Sequence, residues 1–148
     1  MLINSFEHTV DAKGRLFIPA KWRDDLGGTV IVTPALTRKG DYQCLLGMSV
    51  ERWNAFVERV KSVSLANVKL QKALRQVFSM ACECEVDKQG RILIDPALRT
   101  LSSLDKDVTL IGMGDHIEFW QSESWKVSMA EVDGFDDETL DALTELRI

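Results

Sequence analysis

A mainly β protein with accompanying helices, α+β in class and pseudo-two-fold in plan, is what these 148 residues predict. Three observations carry that expectation. Asp11-Ala12-Lys13-Gly14-Arg15 returns as Asp87-Lys88-Gln89-Gly90-Arg91, each copy preceded by a valine (Val10, Val86) and followed by an apolar run (Leu16-Phe17-Ile18, Ile92-Leu93-Ile94). Arg23 and Arg99 fall in step with the two copies, at the same spacing of 76. The order of expected elements then repeats with a period near 75 residues, too long and repeated too few times for a solenoid, so it reads as a fused pseudo-dimer.

Each element has a local reason. Residues 5–10 alternate apolar and polar and end β-branched, which predicts a strand. Asp11 to Gly14 is turn chemistry: Asp bonds downstream amides, and Gly accepts a positive φ. Arg15 to Ile18 is a second strand, so the motif should form the tip of a hairpin. Pro19 stops ladder pairing and suits a helix start. A short helix, 20–26, places Trp22 and Leu26 on one face and ends at Gly27-Gly28. Thr29 to Thr33 is strongly β-prone and closed by Pro34. Thr37 to Asp41 is a polar loop and Tyr42 to Met48 a strand. Ser49 is the expected N-cap of a helix over 50–61, with Val50, Trp53, Phe56, Val57 and Val60 at helical spacing. A second helix, 66–79, turns Ala66, Leu70, Ala73, Leu74, Val77 and Phe78 inward and Lys69, Gln71, Lys72 and Arg75 outward.

The order then recurs: strand 80–86, turn, strand 91–94, short helix 96–101, strand 108–113, a turn at Asp115, strand 117–120 and helix 123–132. Glu51-x-Trp53 and Glu123-x-Trp125 match at the head of the long helix in each half. The expected organisation is a first half over 5–61, a connecting helix over 62–79, a second half over 80–132 and an acidic C-terminal tail or helix over 133–148.

Composition sets bounds. With 45% apolar and 28% charged residues, a packed core is attainable. No apolar run approaches the ~20 residues that span a bilayer, and the opening residues carry no basic region or long apolar stretch, so neither membrane anchor nor signal peptide is expected. Three cysteines make no disulfide framework, and the cytosol is the expected location. The net charge of −5 is unevenly spread: residues 1–80 hold 12 Lys/Arg against 7 Asp/Glu, residues 81–148 hold 6 against 16. The first half could touch a polyanion, or the acidic end could simply skew the count.

The doubled motif has two readings. In one, Asp pairs with Arg across the turn and only fixes a hairpin. In the other, Lys13, Arg15, Lys88 and Arg91 project from one surface, where Arg meets phosphate or guanine edges and Lys adds a point charge. Asp11, Gly14, Asp87 and Gly90 are the turn residues under both. Other chemistry is weaker. Cys82-x-Cys84 has no second pair of ligands, and in a strand both thiols share a face as small core residues, so no metal is expected. No nucleophile elbow, phosphate-binding glycine loop or His-Glu-x-x-His is present, which leaves His8 and His116 as weak acid–base candidates. Trp22, Trp53, Trp120 and Trp125 read as core, or as buried contacts between neighbouring copies.

The doubled Asp-x-x-Gly-Arg, its first copy followed by Leu-Phe-Ile-Pro, resembles the MraZ family of bacterial proteins, over almost the whole chain from Met1 to about Val132. The resemblance implies two fused AbrB-type swapped-hairpin units, closed into a small β-barrel within one chain with helices packed outside. It implies a ring-like homo-oligomer, and a transcriptional regulator of the division and cell-wall gene cluster. Such a regulator would be cytoplasmic and nucleoid-associated, and would bind short direct repeats in double-stranded DNA upstream of its own gene. It implies DNA contacts in the motifs, with Asp11, Lys13, Gly14 and Arg15 matching first and Asp87, Gly90 and Arg91 second. The second copy departs: Gln89 stands where Lys13 stands, with Lys88 beside it, and Asp95 replaces Pro19, with Pro96 one residue later. No enzymatic activity, cofactor or small-molecule substrate is expected. The alternative is a non-DNA-binding oligomeric interaction protein, with Lys69, Lys72 and Arg75 complementing the acidic end between subunits.

Overall fold

The computed structural model describes residues 1–38, 44–130 and 133–147. The first half contributes β1 (Ser5–Thr9), β2 (Arg15–Phe17), a 3₁₀ turn (Ala20–Trp22), α1 (Arg23–Leu26), β3 (Thr29–Pro34), β4 (Leu45–Ser49) and α2 (Val50–Val60). Helix α3 (Val68–Met80) leads to the second half: β5 (Cys82–Glu85), β6 (Arg91–Leu93), α4 (Pro96–Leu101), β7 (Asp107–Gly112), β8 (Ile117–Gln121) and α5 (Ser122–Ala130). A terminal helix, α6 (Asp137–Glu145), follows. The expected strand over 42–48 and helix over 123–132 lie partly outside the described residues. No described helix is long and apolar enough to cross a membrane.

The strands form an antiparallel six-stranded sheet in the order β1-β7-β8-β4-β3-β5, with a separate two-stranded ribbon of β2 and β6. Exchanging the halves, β1 for β5, β2 for β6, β3 for β7 and β4 for β8, reverses the sheet order and leaves it otherwise unchanged. The pseudo-two-fold therefore passes between β4 and β8 and between β2 and β6. The strands flanking each turn do not zip into the simple hairpin that the sequence suggests. Instead β1 pairs with β7, β5 with β3, and β2 with β6, all antiparallel.

The expected closed barrel is corrected here. Edge strands β1 and β5 share no ladder, and the three-residue β2 and β6 pair with each other rather than carrying the ladder around. The observed architecture is α+β with an open antiparallel sheet.

The ribbon closes one side of the core. Leu16 and Ile92, opposite each other in the ladder, are buried with Ile18 and Ile94, while Phe17 and Leu93 point outward, the period-two pattern of a half-buried strand. Full burial of each aliphatic side chain contributes about 1.5–3 kcal/mol. They pack with Trp22, Val30, Leu45, Leu110 and Phe119. Trp22 is buried, meets Phe6 edge-on at 5.0 Å and donates its indole N–H to the Ile3 carbonyl at 3.0 Å. Cys84 joins this core and Cys82 packs against it, as their alternation requires.

The helices differ from expectation in depth. Ser49 does cap α2, its Oγ accepting from the Arg52 amide at 3.2 Å. Yet neither α2 nor α3 buries a residue fully. Leu70 and Phe78, expected to face in, are exposed, while Leu74 and Val77 are half-buried. Trp53, Phe56 and Phe78 cluster between the two helices, with ring centroids 5.2–5.8 Å apart. Trp120 and Trp125 pair separately at 5.5 Å.

Candidate nucleic-acid interface

The two turns are built alike. Asp11 Oδ1 accepts from the Lys13 and Arg15 amides, both at 2.9 Å, and Asp11 Oδ2 accepts from Arg15 Nε at 2.6 Å. Asp87 Oδ1 accepts from the Gln89 and Arg91 amides, both at 2.9 Å, and its Oδ2 from Arg91 Nε at 2.9 Å. In the main chain the Gly14 amide donates to Asp11 O and the Gly90 amide to Asp87 O. Both glycines sit at φ +86°, in the left-handed region where a β-carbon is strained.

These donors pull the carboxyls down. The Arg15 amide is the largest cause for Asp11, followed by partial desolvation, which opposes it, then by the Arg15 side chain and the Lys13 amide; the result is a pKa of about 2. Asp87 is lowered in the same way, chiefly by the Arg91 amide. The Asp–Arg pairing proposed from sequence as a hairpin lock is thus present in both copies. As solvent-screened ion pairs they contribute little energy, and their weight is geometric.

The ribbon register decides what faces out. Arg15 lies opposite Leu93 and Arg91 opposite Phe17, on the face away from Leu16 and Ile92. The turns are neighbours: Arg91 Nη1 lies 3.9 Å from Asp11 Oδ2, and the Arg91 guanidinium sits 5.9 Å from the Phe17 ring centre. Lys13 and Lys88 are exposed. So the structure brings the four predicted cations onto adjacent turns, with Arg15 and Arg91 tethered through Nε.

Sequence reasoning noted the matched spacing of Arg23 and Arg99 but gave them no role. The structure lays each against the other half's turn. A β-carbon on Gly14 would come within 3.0 Å of Arg99 Cζ, and one on Gly90 would overlap the Arg23 guanidinium. Arg23 Nε donates to Ile18 O at 3.0 Å, whereas the buried Arg99 Nε has no hydrogen-bond partner.

The other candidates separate. His8 lies opposite Val108 on β1, and its pKa is lowered by burial and by Arg23. His116 follows the far end of β7 and bonds Asp115 at 2.7 Å, so the two histidines do not meet. Asp115 also accepts from Arg52 Nε at 2.9 Å and is drawn down to about 2, by His116 first and then by Arg52. Burial, with Glu118 adding, pushes the Cys44 thiol up to about 12; burial likewise raises Cys84 to about 11, and it raises Cys82. Burial thus disfavours the thiolate at all three cysteines. Lys69, Lys72 and Arg75 lie exposed on α3.

The fold and site together define a duplicated α+β protein whose halves exchange strand partners and place two Asp-x-x-Gly-Arg turns side by side. The sequence model of the family described as "MraZ protein, putative antitoxin-like" matches residues 1–76 and again 77–147. The chain belongs to the MraZ family. It is 44% identical over 131 residues to the "Transcriptional regulator MraZ" of Caldicellulosiruptor saccharolyticus, covering 88% of each chain. It is 38% identical to the protein of that name from Thermoanaerobacter pseudethanolicus over 148 residues and the full length of both. With that of Limosilactobacillus reuteri it shares 39% over 138 residues, 93% of this chain and 94% of the relative.

Proposed function

We propose that this chain is a sequence-specific, DNA-binding transcriptional regulator without enzymatic activity. Its two Asp-x-x-Gly-Arg turns would act together on double-stranded DNA. The observation that carries this reading is the adjacency of the turns on the outward face of one two-stranded ribbon, joined by the 3.9 Å approach of Arg91 to Asp11. A β-ribbon is narrow enough to enter the major groove. The relatives' shared name supports transcription as the setting.

The geometry supports a role for each of these residues. Arg15 and Arg91 spend Nε on aspartate, and Arg91 Nη1 also approaches Asp11; the other terminal nitrogens would meet phosphate or guanine edges in a fixed orientation. Asp11 and Asp87 offset the arginine charges at a distance, so Lys13 and Lys88 supply the net attraction. Few cations per chain make a weak, salt-sensitive contact. A ring-like homo-oligomer reading evenly repeated short sites gains avidity, since later contacts form at high effective concentration. The family resemblance supports such a ring. It also supports an intrachain AbrB-type exchange of strands, nucleoid association, and target sites upstream of the chain's own gene in the division and cell-wall cluster.

The test is a titration of labelled DNA carrying one or several copies of a short direct repeat, over a range of salt. The expected result is tighter binding to the multiple sites and a steep fall with log salt; equal affinities sink the ring-and-repeat reading. The Nε tethers favour one second reading, in which the Asp–Arg turns only lock the fold of an oligomeric interaction protein. That reading expects no salt-dependent DNA binding at all.

A further inference from the structure

We infer that Arg23 and Arg99 are positioning residues that hold the two turns crosswise, the first half clamping the second turn and the second half clamping the first. Two independent contacts make each clamp. From the first half, the Ile18 amide donates to Gly90 O at 2.9 Å and the Arg23 guanidinium covers Gly90. From the second half, the Ile94 amide donates to Gly14 O at 3.1 Å and the Arg99 guanidinium covers Gly14. Ile18 is the junction of the first clamp, since its carbonyl also accepts from Arg23 Nε. The covering guanidiniums explain why both turn glycines are buried although the turns project from the ribbon.

A glycine at positive φ is the most pliable point of its turn. Stacking a planar guanidinium on it restrains the peptides that carry the Arg15 and Arg91 amides, and so the aim of both side chains. Lysine cannot do this: its ammonium is a point charge without a flat face or an Nε. The crossing also means that neither turn is set by its own half alone.

The clamp deepens the DNA reading above, and its test separates the two. Hydrogen–deuterium exchange on the full chain reads the turns without any ligand. Arg23→Ala should speed exchange at the Gln89, Gly90 and Arg91 amides by about tenfold or more and leave those of Lys13 and Arg15 unchanged. Arg99→Ala, which removes no Nε hydrogen bond and so spares the fold more surely, should do the converse. Arg23→Lys should resemble Arg23→Ala in exchange and in loss of affinity for repeat DNA. Exchange that rises in the variant's own turn, or in neither, overturns the clamp. So does full rescue of DNA affinity by lysine, which would make Arg23 a plain charge contact. If the crossed pattern appears in a protein that binds no DNA, the clamp stands and the DNA reading falls.

Discussion

The Asp11 and Asp87 carboxylates each hold their arginine by its amide and its Nε, yet the Arg15 side chain is 33% exposed and Arg91 only 18%. Arg91 also lies beside the Phe17 ring and within 3.9 Å of Asp11, the other turn's aspartate. The flanks differ in the same sense. In the first half Pro19 leads into a 3₁₀ turn without a side-chain cap, and Arg23 opens α1 with its Nε bonded to Ile18. In the second half Asp95 caps α4, accepting from the Ala97 amide at 2.8 Å, and Arg99 sits within that helix with Nε unpartnered. The duplication has kept the lock and let its surroundings drift. A lock that is the same twice cannot by itself distinguish two contact sites; the exposed cations beside it can.

The largest expected effect lies at the glycines. Gly90→Ala should destabilise the fold by about 1–3 kcal/mol through the strained φ alone, and more than Gly14→Ala, because its new methyl overlaps a hydrogen-bonded guanidinium. Urea denaturation of both variants checks the order, and equal losses would erase this difference between the turns. Next, Arg15→Ala should keep the fold and lower DNA affinity by about 1–3 kcal/mol per lost contact, at least as much as Arg91→Ala. Fluorescence anisotropy on repeat DNA measures both, and the reverse order would make the more enclosed arginine the main reader. Asp95→Ala should cost about 1 kcal/mol of stability by uncapping α4, while Pro19→Ala touches no cap hydrogen bond. Thermal melts would show whether that asymmetry is real.

Acid gives the smallest and most local effect. Because the folded Asp11 pKa lies below the ordinary 3.8, its stabilisation is present above that value and is lost as pH falls toward about 2. Asp87 is lowered too, so both turns loosen in that acidic window. Amide resonances followed by NMR should shift at Lys13, Arg15, Gln89 and Arg91 within that window, and Asp87→Asn should remove the second turn's response.

Much of this was legible in the sequence where the signal was local. Turn chemistry placed Asp11, Gly14, Asp87 and Gly90, Ser49 marked a helix start, and alternation placed Cys82 and Cys84 inward. Partner choice was not legible. Nothing in residues 15–17 says that they pair with 91–93 rather than fold back on 5–9, because three-residue strands carry too little pattern to fix a register. The inward face of α3 was overread for a similar reason: helical spacing of Leu70 and Phe78 shows that a face is apolar, not how deeply it is covered. The matched spacing of Arg23 and Arg99 was visible, but its meaning required knowing which turn each one crosses to.

The reversible sheet order carries a consequence for synthesis. Ser5 pairs with Ile111 and Arg15 with Leu93, so the first strands to leave the ribosome wait for most of the chain before they find partners. Contacts this distant in sequence slow folding, and the waiting strand edges are open to whatever chain is near. Two nascent copies can satisfy each other's edges by trading halves, since each half offers what the other's ladder lacks. Yield in the cell should therefore depend on the delay between the two halves, and a slow-translated stretch placed after residue 61 should favour interlocked pairs over single chains.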